Sequence, residues 1–446
     1  MSEVAVIGLG RSGIAATRLL VRDKKAVYAS DADPHPEAHS GVALDSLRDL
    51  RDVTVQLGGH DLARIKQSEL VVVSPGVPPA APPLAAARAA SVPIISELDL
   101  GFQHLRATRC IAVTGTNGKT TTTALVKHLL IQGGVESEAA GNIGRPLAEV
   151  ALAPDRYSWL AVEVSSFQLH DSPHFAPAVG VMTNLAPDHL DRYSSVAEYY
   201  ADKQLLFRNA ADKSVWVLNG DDRAVLGMAR SVRGERRLFS LRGRADAWYD
   251  RARHVLRFGD EVLLGRDDLK LLGDHNVANA LAAALAVREA GVAADAIARG
   301  LSSFHPLPHR LEPVREVGGV LWVNDSKATN IASTVVAIEA MTRPFVLLLG
   351  GRHKGEPYTR LGDLLRQTGR CRLVIAYGEA GPLVEQHLAG QVPLERGTTF
   401  ENVVARARRA AKPGDVILLS PACSSYDMFH NYEERGARFR ALAETA

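Results

Sequence analysis

The chain has 446 residues, 46% hydrophobic and 23% charged, a composition ordinary for a soluble globular protein of roughly two to four domains. Lys plus Arg is 52 against 50 for Asp plus Glu, so the net charge of +2 offers no basic face for nucleic acid or an anionic membrane. No apolar run approaches the ~18 residues of a membrane span, and residues 1–8 read as a strand and not as a secretory signal. Cys110, Cys371 and Cys423 make no C-x-x-C and no paired framework, which reads as reduced thiols in a cytoplasm.

Strand-like apolar runs alternate with helical patterns along most of the chain, predicting an α/β fold with parallel sheets covered by helices. The first block reads as a strand over 4–7, a glycine turn, a helix to about residue 21, and strands over 26–30 and 70–73. A Pro-rich loop over 75–83, a helix over 85–90 and a short strand at 94–95 complete it. Gly8, Gly10 and Gly13 match G-x-G-x-x-G, and Asp31 ends a strand 18 residues beyond Gly13, the dinucleotide fingerprint. The motif places a diphosphate at a helix N-terminus without specifying which diphosphate, so a hydride-transfer enzyme is a serious rival reading.

The second block runs from about 98 to 305, with predicted strands over 111–113, 160–164, 179–183 and 215–218. Residues 234–272 are less regular and read as a small antiparallel patch, and 276–290 as an Ala- and Leu-rich helix. Residues 305–310, His-Pro-Leu-Pro-His-Arg, break both periodicities and read as a linker. The third block has predicted strands near 321–323, 345–349, 373–376 and 416–419.

The strongest chemical signal follows the strand at 111–113. Gly115-Thr116-Asn117-Gly118-Lys119-Thr120 enters a helix predicted over 121–131. Glycines let backbone N–H groups approach phosphate oxygens, Lys119 reaches the β- and γ-phosphates, the Thr120 hydroxyl suits Mg²⁺, and the helix directs its positive end at the anion. Only two residues separate the glycines, where the usual phosphate loop has four. The bland alternative is a glycine turn with a solvent-facing lysine. Glu163 ends the apolar run Leu160-Ala161-Val162-Glu163, at the strand end where a Mg²⁺-binding acid belongs beside such a loop. His189, beside Asp188, either binds metal or caps the next helix. Polar loops at 324–330, 350–355 and 420–427 each follow a strand, and strand-end loops of an open sheet gather on one edge, where ligands bind.

With those residues in view, the chain resembles the Mur ligases nearly end to end, from Gly8 to Gly436. The marks are Gly8-Leu9-Gly10-Arg11-Ser12-Gly13, Ser74-Pro75-Gly76-Val77, the phosphate loop, Gly141-Asn142-Ile143-Gly144 and residues 163–169. Residues 184–193, 275–280, 307–310, 324–330 and 420–436 continue it. The resemblance implies three domains. These are an N-terminal Rossmann-like domain over 1–97, a central P-loop ATPase-like parallel sheet over 98–305, and a C-terminal Rossmann-like domain over 306–446. It implies an ATP-dependent amide ligase that adds D-glutamate to UDP-N-acetylmuramoyl-L-alanine through an acyl phosphate, in cytoplasmic peptidoglycan precursor synthesis, acting as a monomer with two Mg²⁺ ions. The first glycine motif then holds the UDP diphosphate and not NAD.

The family's roles carry over residue by residue. The catalytic set is Lys119, His189, Lys203 and Lys327, with Lys203 matching a lysine that the family carbamylates. ATP falls to Gly115, Thr116, Asn117, Gly118, Lys119, Thr120, Thr121, Asn276, Asn279, Arg310 and Asp325, and metal to Thr120, Glu163, His189 and Lys203. The UDP-substrate falls to Gly10, Arg11, Ser12, Asp31, Ser74, Gly76, Asn142, Ser165 and Gln168. D-Glutamate falls to Thr329, Lys354, Ser425, Tyr426 and Tyr432. The chain departs from some relatives at Asp31-Ala32-Asp33, where they place a basic residue at the uracil end. A sister Mur ligase or a folylpolyglutamate-synthase-like ligase would share the central motifs. A dehydrogenase would explain only residues 4–31, and a phosphate-loop switch protein only residues 111–163.

Overall fold

The computed structural model describes residues 3–37, 44–188 and 192–445. Three sheets organise them. The first is parallel throughout, with β1 (Glu3–Ile7), β2 (Ala26–Asp31), β3 (Val53–Leu57), β4 (Leu70–Val73) and β5 (Ile94–Ser96) in the order β3-β2-β1-β4-β5. Val4 to Ile7 and Val71 to Val73 are buried, as strands covered by helices on both faces must be. The order reverses at β1, so a crevice opens beyond the carboxyl ends of β1 and β4, where the Gly8–Gly10 and Ser74–Gly76 turns lie.

The central sheet has nine strands in the order β14-β13-β12-β11-β10-β9-β6-β8-β7. They are β6 (Arg109–Thr114), β7 (Ser137–Gly141), β8 (Trp159–Glu163), β9 (Val179–Met182), β10 (Val215–Asn219), β11 (Glu235–Ser240), β12 (Ala247–Asp250), β13 (Val255–Phe258) and β14 (Glu261–Gly265). The strands from β7 to β12 run parallel, whereas β12-β13-β14 is an antiparallel meander extending the same sheet. That is the patch expected over 234–272. β6 lies between β8 and β9, in register Val113↔Glu163 and Thr114↔Met182. The pairing brings the Glu163 carboxylate level with the start of the phosphate loop.

The third sheet has the order β15-β16-β20-β17-β18-β19. Its strands are β15 (Glu312–Val317), β16 (Val320–Asn324), β17 (Phe345–Gly350), β18 (Cys371–Tyr377), β19 (Leu394–Arg396) and β20 (Val416–Leu419). All neighbours are parallel except β15 and β16, and the polar loops after β16, β17 and β20 leave carboxyl ends of adjacent strands. Among the described residues, no helix is long and apolar enough to cross a membrane, and all three cysteines are free thiols.

The chain forms two compact units, Met1–Leu269 with Ala278–Ser303, and Lys270–Val277 with Phe304–Ala446. The first contains both the N-terminal and the central sheet. One buried cluster joins them: Val6 and Leu19 belong to the same core as Leu100, Ala112, Leu147 and Leu160.

Glu97 is buried in this unit. It opens the helix Glu97–Gln103, and its Oε1 accepts from the Ala148 backbone N–H at 2.6 Å. Burial pushes its pKa from 4.5 to about 7, against the pull of the Ala148 N–H and the Ser12 hydroxyl. The folded chain therefore holds a proton here that the unfolded chain has released between those two pH values. Stability from this group is present at low pH and falls as pH climbs through the window. Glu97→Gln keeps the acceptor without the charge. Relative to wild type, it should gain melting temperature steadily between about pH 5 and pH 7 and level off above. A pH-independent difference in thermal melts would refute the assignment.

Candidate active site

The phosphate loop is a built cradle. Gly115 and Gly118 have φ of 141° and 84°, which side chains rarely adopt. Cβ atoms there would lie 2.0 Å from Thr183 Oγ1 and 2.3 Å from Asn279 Oδ1, so both glycines are required for close approach as well as for backbone shape. The loop is stapled to the turn after β9. The Asn117 N–H donates to Asn184 Oδ1 at 2.9 Å, Asn184 Nδ2 donates to Asn117 O at 3.0 Å, and Thr183 Oγ1 donates to Asn117 O at 2.6 Å. Thr116 is held by Ala186 N–H and by its own hydroxyl donating to Ala186 O, each at 3.0 Å. Helix Lys119–Gln132 starts with no side-chain cap, leaving its first N–H groups for an anion. The Lys119 ammonium donates to Gly115 O at 3.0 Å and Thr116 O at 2.8 Å, which keeps it over the loop. Thr120 and Thr121 lie in the first turn of that helix, and Asn279 is tied to it by the Thr122 hydroxyl at 3.2 Å.

Beside the cradle sits an incompletely satisfied carboxylate. Glu163 is 2% exposed; Asn142 Nδ2 donates to its Oε1 at 2.9 Å, and its buried Oε2 has no hydrogen-bond partner. A desolvated carboxylate oxygen without a partner is costly unless a cation meets it. Gln168 is similar: its Oε1 accepts from Ser165 N and Oγ, each at 3.0 Å, in a capping box, while its buried Nε2 has no partner. Ser165 is thus occupied in capping the helix Ser166–His170.

Lys203 is not the helix-surface lysine its local sequence would suggest. It is 1% exposed, and its Nζ donates to Gly115 O at 2.8 Å, the same carbonyl that Lys119 uses. Burial and then the neighbouring Lys119 hold its pKa well below 10.5, opposed by Asp188, Asp202 and Glu163. Its ammonium also lies 4.7 Å from the Tyr199 ring. Asp202 is engaged by His170 Nδ1 and the Tyr193 hydroxyl, both at 2.9 Å. His189 lies outside the described residues. Among those described, no group of three or more His, Cys, Asp and Glu forms a metal cluster. The donors present, the Thr120 hydroxyl and the orphaned Glu163 oxygen, are the hard oxygens that Mg²⁺ prefers.

The crevice of the first sheet brings together Gly10, Arg11, Ser12, Asp31, Ser74 and Gly76, six of the nine residues expected at the UDP-substrate, whereas Asn142, Ser165 and Gln168 lie at the central sheet. Helix Arg11–Arg22 starts after Gly10 with no side-chain cap. Gly13 allows it to approach β1: a Cβ would lie 1.8 Å from Gly8 O. Ser74 Oγ donates to Gly8 O at 2.8 Å, and Asp31 Oδ2 accepts from Leu9 N–H at 2.6 Å. Gly76 lies in the turn after β4.

In the second unit, Asp325 is buried beneath the loop after β16. It accepts from Leu311 N–H at 3.1 Å and from the Ser420 hydroxyl at 2.8 Å, and burial pushes its pKa to about 7. Lys354 Nζ donates to Thr329 Oγ1 at 3.3 Å, joining two of the D-glutamate candidates. Lys327 Nζ lies 5.0 Å from the Tyr432 ring. Ser425 is buried and Tyr426 is 64% exposed in the loop after β20. Arg310 follows His309, whose φ is +63°, and precedes Leu311, whose φ is +42°. Two strained non-glycine residues flanking one arginine mark a place where the surrounding structure fixes the backbone. Asn276 Nδ2 donates to Leu272 O at 2.8 Å, one helical turn before Asn279 on Asp274–Glu289. Sequence reasoning passed over Arg435. This fully buried guanidinium binds Ser326 Oγ at 2.9 Å, Ser326 O at 2.7 Å and Cys423 O at 3.1 Å, clamping two of the polar loops together. Nothing local distinguishes it from the other arginines of the helix Tyr432–Glu444.

A strand, glycine turn and Lys-Thr helix beside a buried carboxylate define a phosphate-loop enzyme acting on a nucleoside triphosphate. Three family descriptions match the chain: the Mur ligase MurD-like N-terminal domain over residues 2–96, the Mur ligase middle domain over 113–287, and the Mur ligase glutamate ligase domain over 309–423. The chain belongs to the Mur ligase family, whose members are ATP-dependent. It is 41% identical over 459 residues to the UDP-N-acetylmuramoylalanine--D-glutamate ligase of Salinibacter ruber, covering 100% of this chain and 98% of that one. The ligase of the same name from Myxococcus xanthus is 40% identical over 450 residues, covering 99% and 98%. Among solved structures, the fold resembles UDP-N-acetylmuramate-alanine ligase from Thermotoga maritima, with a TM-score of 0.62 at 17% identity and full coverage of both chains. It also resembles a pseudomurein peptide ligase type C from Methanothermus fervidus, with a TM-score of 0.61 at 19% identity and full coverage of both chains.

Proposed function

We propose that this chain is a cytoplasmic, monomeric ligase that joins D-glutamate to UDP-N-acetylmuramoyl-L-alanine at the expense of ATP. The full-length likeness to ligases of that name supports the substrates. One structural observation carries the chemistry: an orphaned, buried Glu163 oxygen lies on the strand beside the Lys119 loop. In the first step the γ-phosphoryl group passes to the substrate carboxylate, giving an acyl phosphate and ADP. In the second, the D-glutamate amine attacks the acyl carbon and loses a proton, and the C–O bond to phosphate breaks. Both partners of the first step are anions, so preorganised positive charge is the main requirement. Lys119 and the N-terminus of its helix supply it. Two Mg²⁺ ions would add charge neutralisation, one at Thr120 and Glu163, the other at His189 and a carbamylated Lys203.

Asn142, Ser165 and Gln168 would border the growing peptide, with the free Gln168 Nε2 as a donor. Gly10, Arg11, Ser12, Asp31, Ser74 and Gly76 would hold the UDP moiety, and Asn276, Asn279, Arg310 and Asp325 the rest of ATP. Lys327 and Thr329 would meet the acyl phosphate and the incoming amine. We assign the domains to residues 1–97, 98–305 and 306–446.

Phosphate release should require both UDP-N-acetylmuramoyl-L-alanine and D-glutamate, and fail with D-alanine, L-lysine or L-glutamate. D-Glutamate carries two carboxylates, so its pocket needs a cation and hydroxyls on one rim, and Lys354 with Thr329 provides that pair. A charge-assisted hydrogen bond is worth roughly 1.5–3 kcal/mol, so Lys354→Ala should raise the D-glutamate KM about tenfold or more. The ATP KM should hardly move. Release that ignores the amino acid would overturn the substrate reading, and an unaltered D-glutamate KM would move the pocket elsewhere.

A further inference from the structure

None of the roles above uses His60, yet it borders the nucleotide crevice. In the order β3-β2-β1, the carboxyl ends of the three strands stand side by side. Hydrogen bonds link them across the rim. Gly8 N–H donates to Ser30 O at 2.9 Å, Leu9 N–H to Asp31 Oδ2 at 2.6 Å, and Gly59 N–H to Asp31 O at 3.0 Å. The last bond ties the turn after β3 to the end of β2. Two strand spacings separate β1 from β3, roughly 10 Å. A ligand with its diphosphate at Gly10 and its base at the Asp31–Asp33 end therefore carries that base alongside the turn, whose Gly58 N–H also donates to Asp33 O at 3.4 Å.

The turn is shaped for such an approach. Gly58 and Gly59 have φ of 74° and 157°, and a Cβ on Gly59 would meet nothing within 4 Å. A Cβ on Gly58 would touch only Pro34, at 3.7 Å, so the two glycines leave room beside the end of β2, and His60 follows them. Its ring is half-buried, with Nδ1 2.9 Å from the hydroxyl of the fully buried Ser30. The next residue fixes the exit, Asp61 N–H donating to the Tyr28 hydroxyl at 2.7 Å. Burial holds the imidazole pKa below 6.5 despite nearby Asp31, so the ring is neutral. When Ser30 donates to Nδ1, Nε2 carries the hydrogen. Among the described residues, Nε2 has no hydrogen-bond partner. The neighbouring side chains are acidic, Asp31 and Asp33, and an ionised carboxylate accepts hydrogen bonds but does not donate them.

We propose that His60 binds the pyrimidine base of the nucleotide substrate, its Nε2–H donating to a base carbonyl, and so discriminates uridine-bearing donors from truncated ones. The inference rests on the reading of the substrate as a UDP-sugar. His35 shares the rim but is exposed, and provides the control.

Kinetics with UDP-N-acetylmuramoyl-L-alanine and with 1-phospho-N-acetylmuramoyl-L-alanine separate the possibilities. His60→Ala should raise the KM for the uridine-bearing donor about fivefold to tenfold, in line with losing one hydrogen bond and ring contact. The KM for the truncated donor should shift less than twofold. His60→Gln keeps an N–H donor and should recover part of the loss, whereas His35→Ala should not copy it. Calorimetry with UDP alone should show the same weakening, which keeps the test independent of turnover should His60→Ala lower the melting temperature. Equal effects on both donors, or none, would overturn the role of His60. A wild-type chain that turns over neither donor with D-glutamate would instead overturn the underlying functional reading.

Discussion

Lys119→Ala folds and loses turnover by about a hundredfold or more, the scale expected when a preorganised charge is removed from a transferring phosphoryl group. Lys119 sits over the cradle through Gly115 O and Thr116 O, so its ammonium is placed before any phosphate arrives. Gly115 O keeps a partner because Lys203 also donates to it, and Thr116 stays bound to the turn after β9 through its hydroxyl and its N–H. The loop should therefore keep its shape without Lys119, and the loss should lie in kcat more than in melting temperature. Lys119→Arg retains the charge but not the compact head, and should recover only part of the rate. Steady-state phosphate release with a parallel thermal melt is the measurement, and near wild-type turnover would sink the assignment.

Much of the fold was legible because its strands are buried on both faces and read as continuous apolar runs. Residues 70–73, 345–349 and 416–419 are of this kind, and each lies inside or coincides with an observed strand. The strands that escaped are those where pairing overrides composition. β7, Ser-Glu-Ala-Ala-Gly, has no β-branched residue and is held by its ladder with β8. β3 lies at the end of its sheet with four of five residues only partly buried, and β19 has three residues at another edge. The helix Pro82–Ala89 starts within the stretch read as a Pro-rich loop, because Pro is tolerated in a helix's first turn.

The site divides in the same way. Lys119, Thr120 and Glu163 were readable locally, since strand, turn and helix must occur in that order for a phosphate cradle to exist. Contacts between distant segments were not. The Asn184 staple spans 67 residues and the bond from Arg435 to Ser326 spans 109, and neither leaves a pattern in its own neighbourhood. Lys203 is the clearest case. Tyr-Ala-Asp-Lys on a helix reads as solvent-facing, and only the fold shows that the chain turns this lysine inward, 88 residues from the carbonyl it meets.

That inward turn sets the last expectation. Lys203→Ala should reduce activity about as severely as Lys119→Ala, and small carboxylates such as acetate should restore part of it. Lys203 is 1% exposed, lies 2.8 Å from Gly115 O and shares that carbonyl with Lys119. Two ammonium groups on one oxygen repel each other, and burial penalises the charged form more than the nearby carboxylates favour it. Carbamylation reverses the sign at this point. The neutral amine adds to CO₂ and loses a proton, and the side chain then ends in an anionic oxygen that can meet both Lys119 and a metal ion. Alanine leaves room where the carbamate stood, and acetate has its shape and charge. Formate should rescue similarly and methylammonium should not, because the requirement is for an anion. Mass spectrometry of the intact chain under bicarbonate should show one added CO₂ that Lys203→Ala lacks. Rescue by neutral acetamide as strong as by acetate, or an unmodified Lys203 in a fully active sample, would refute the carbamate.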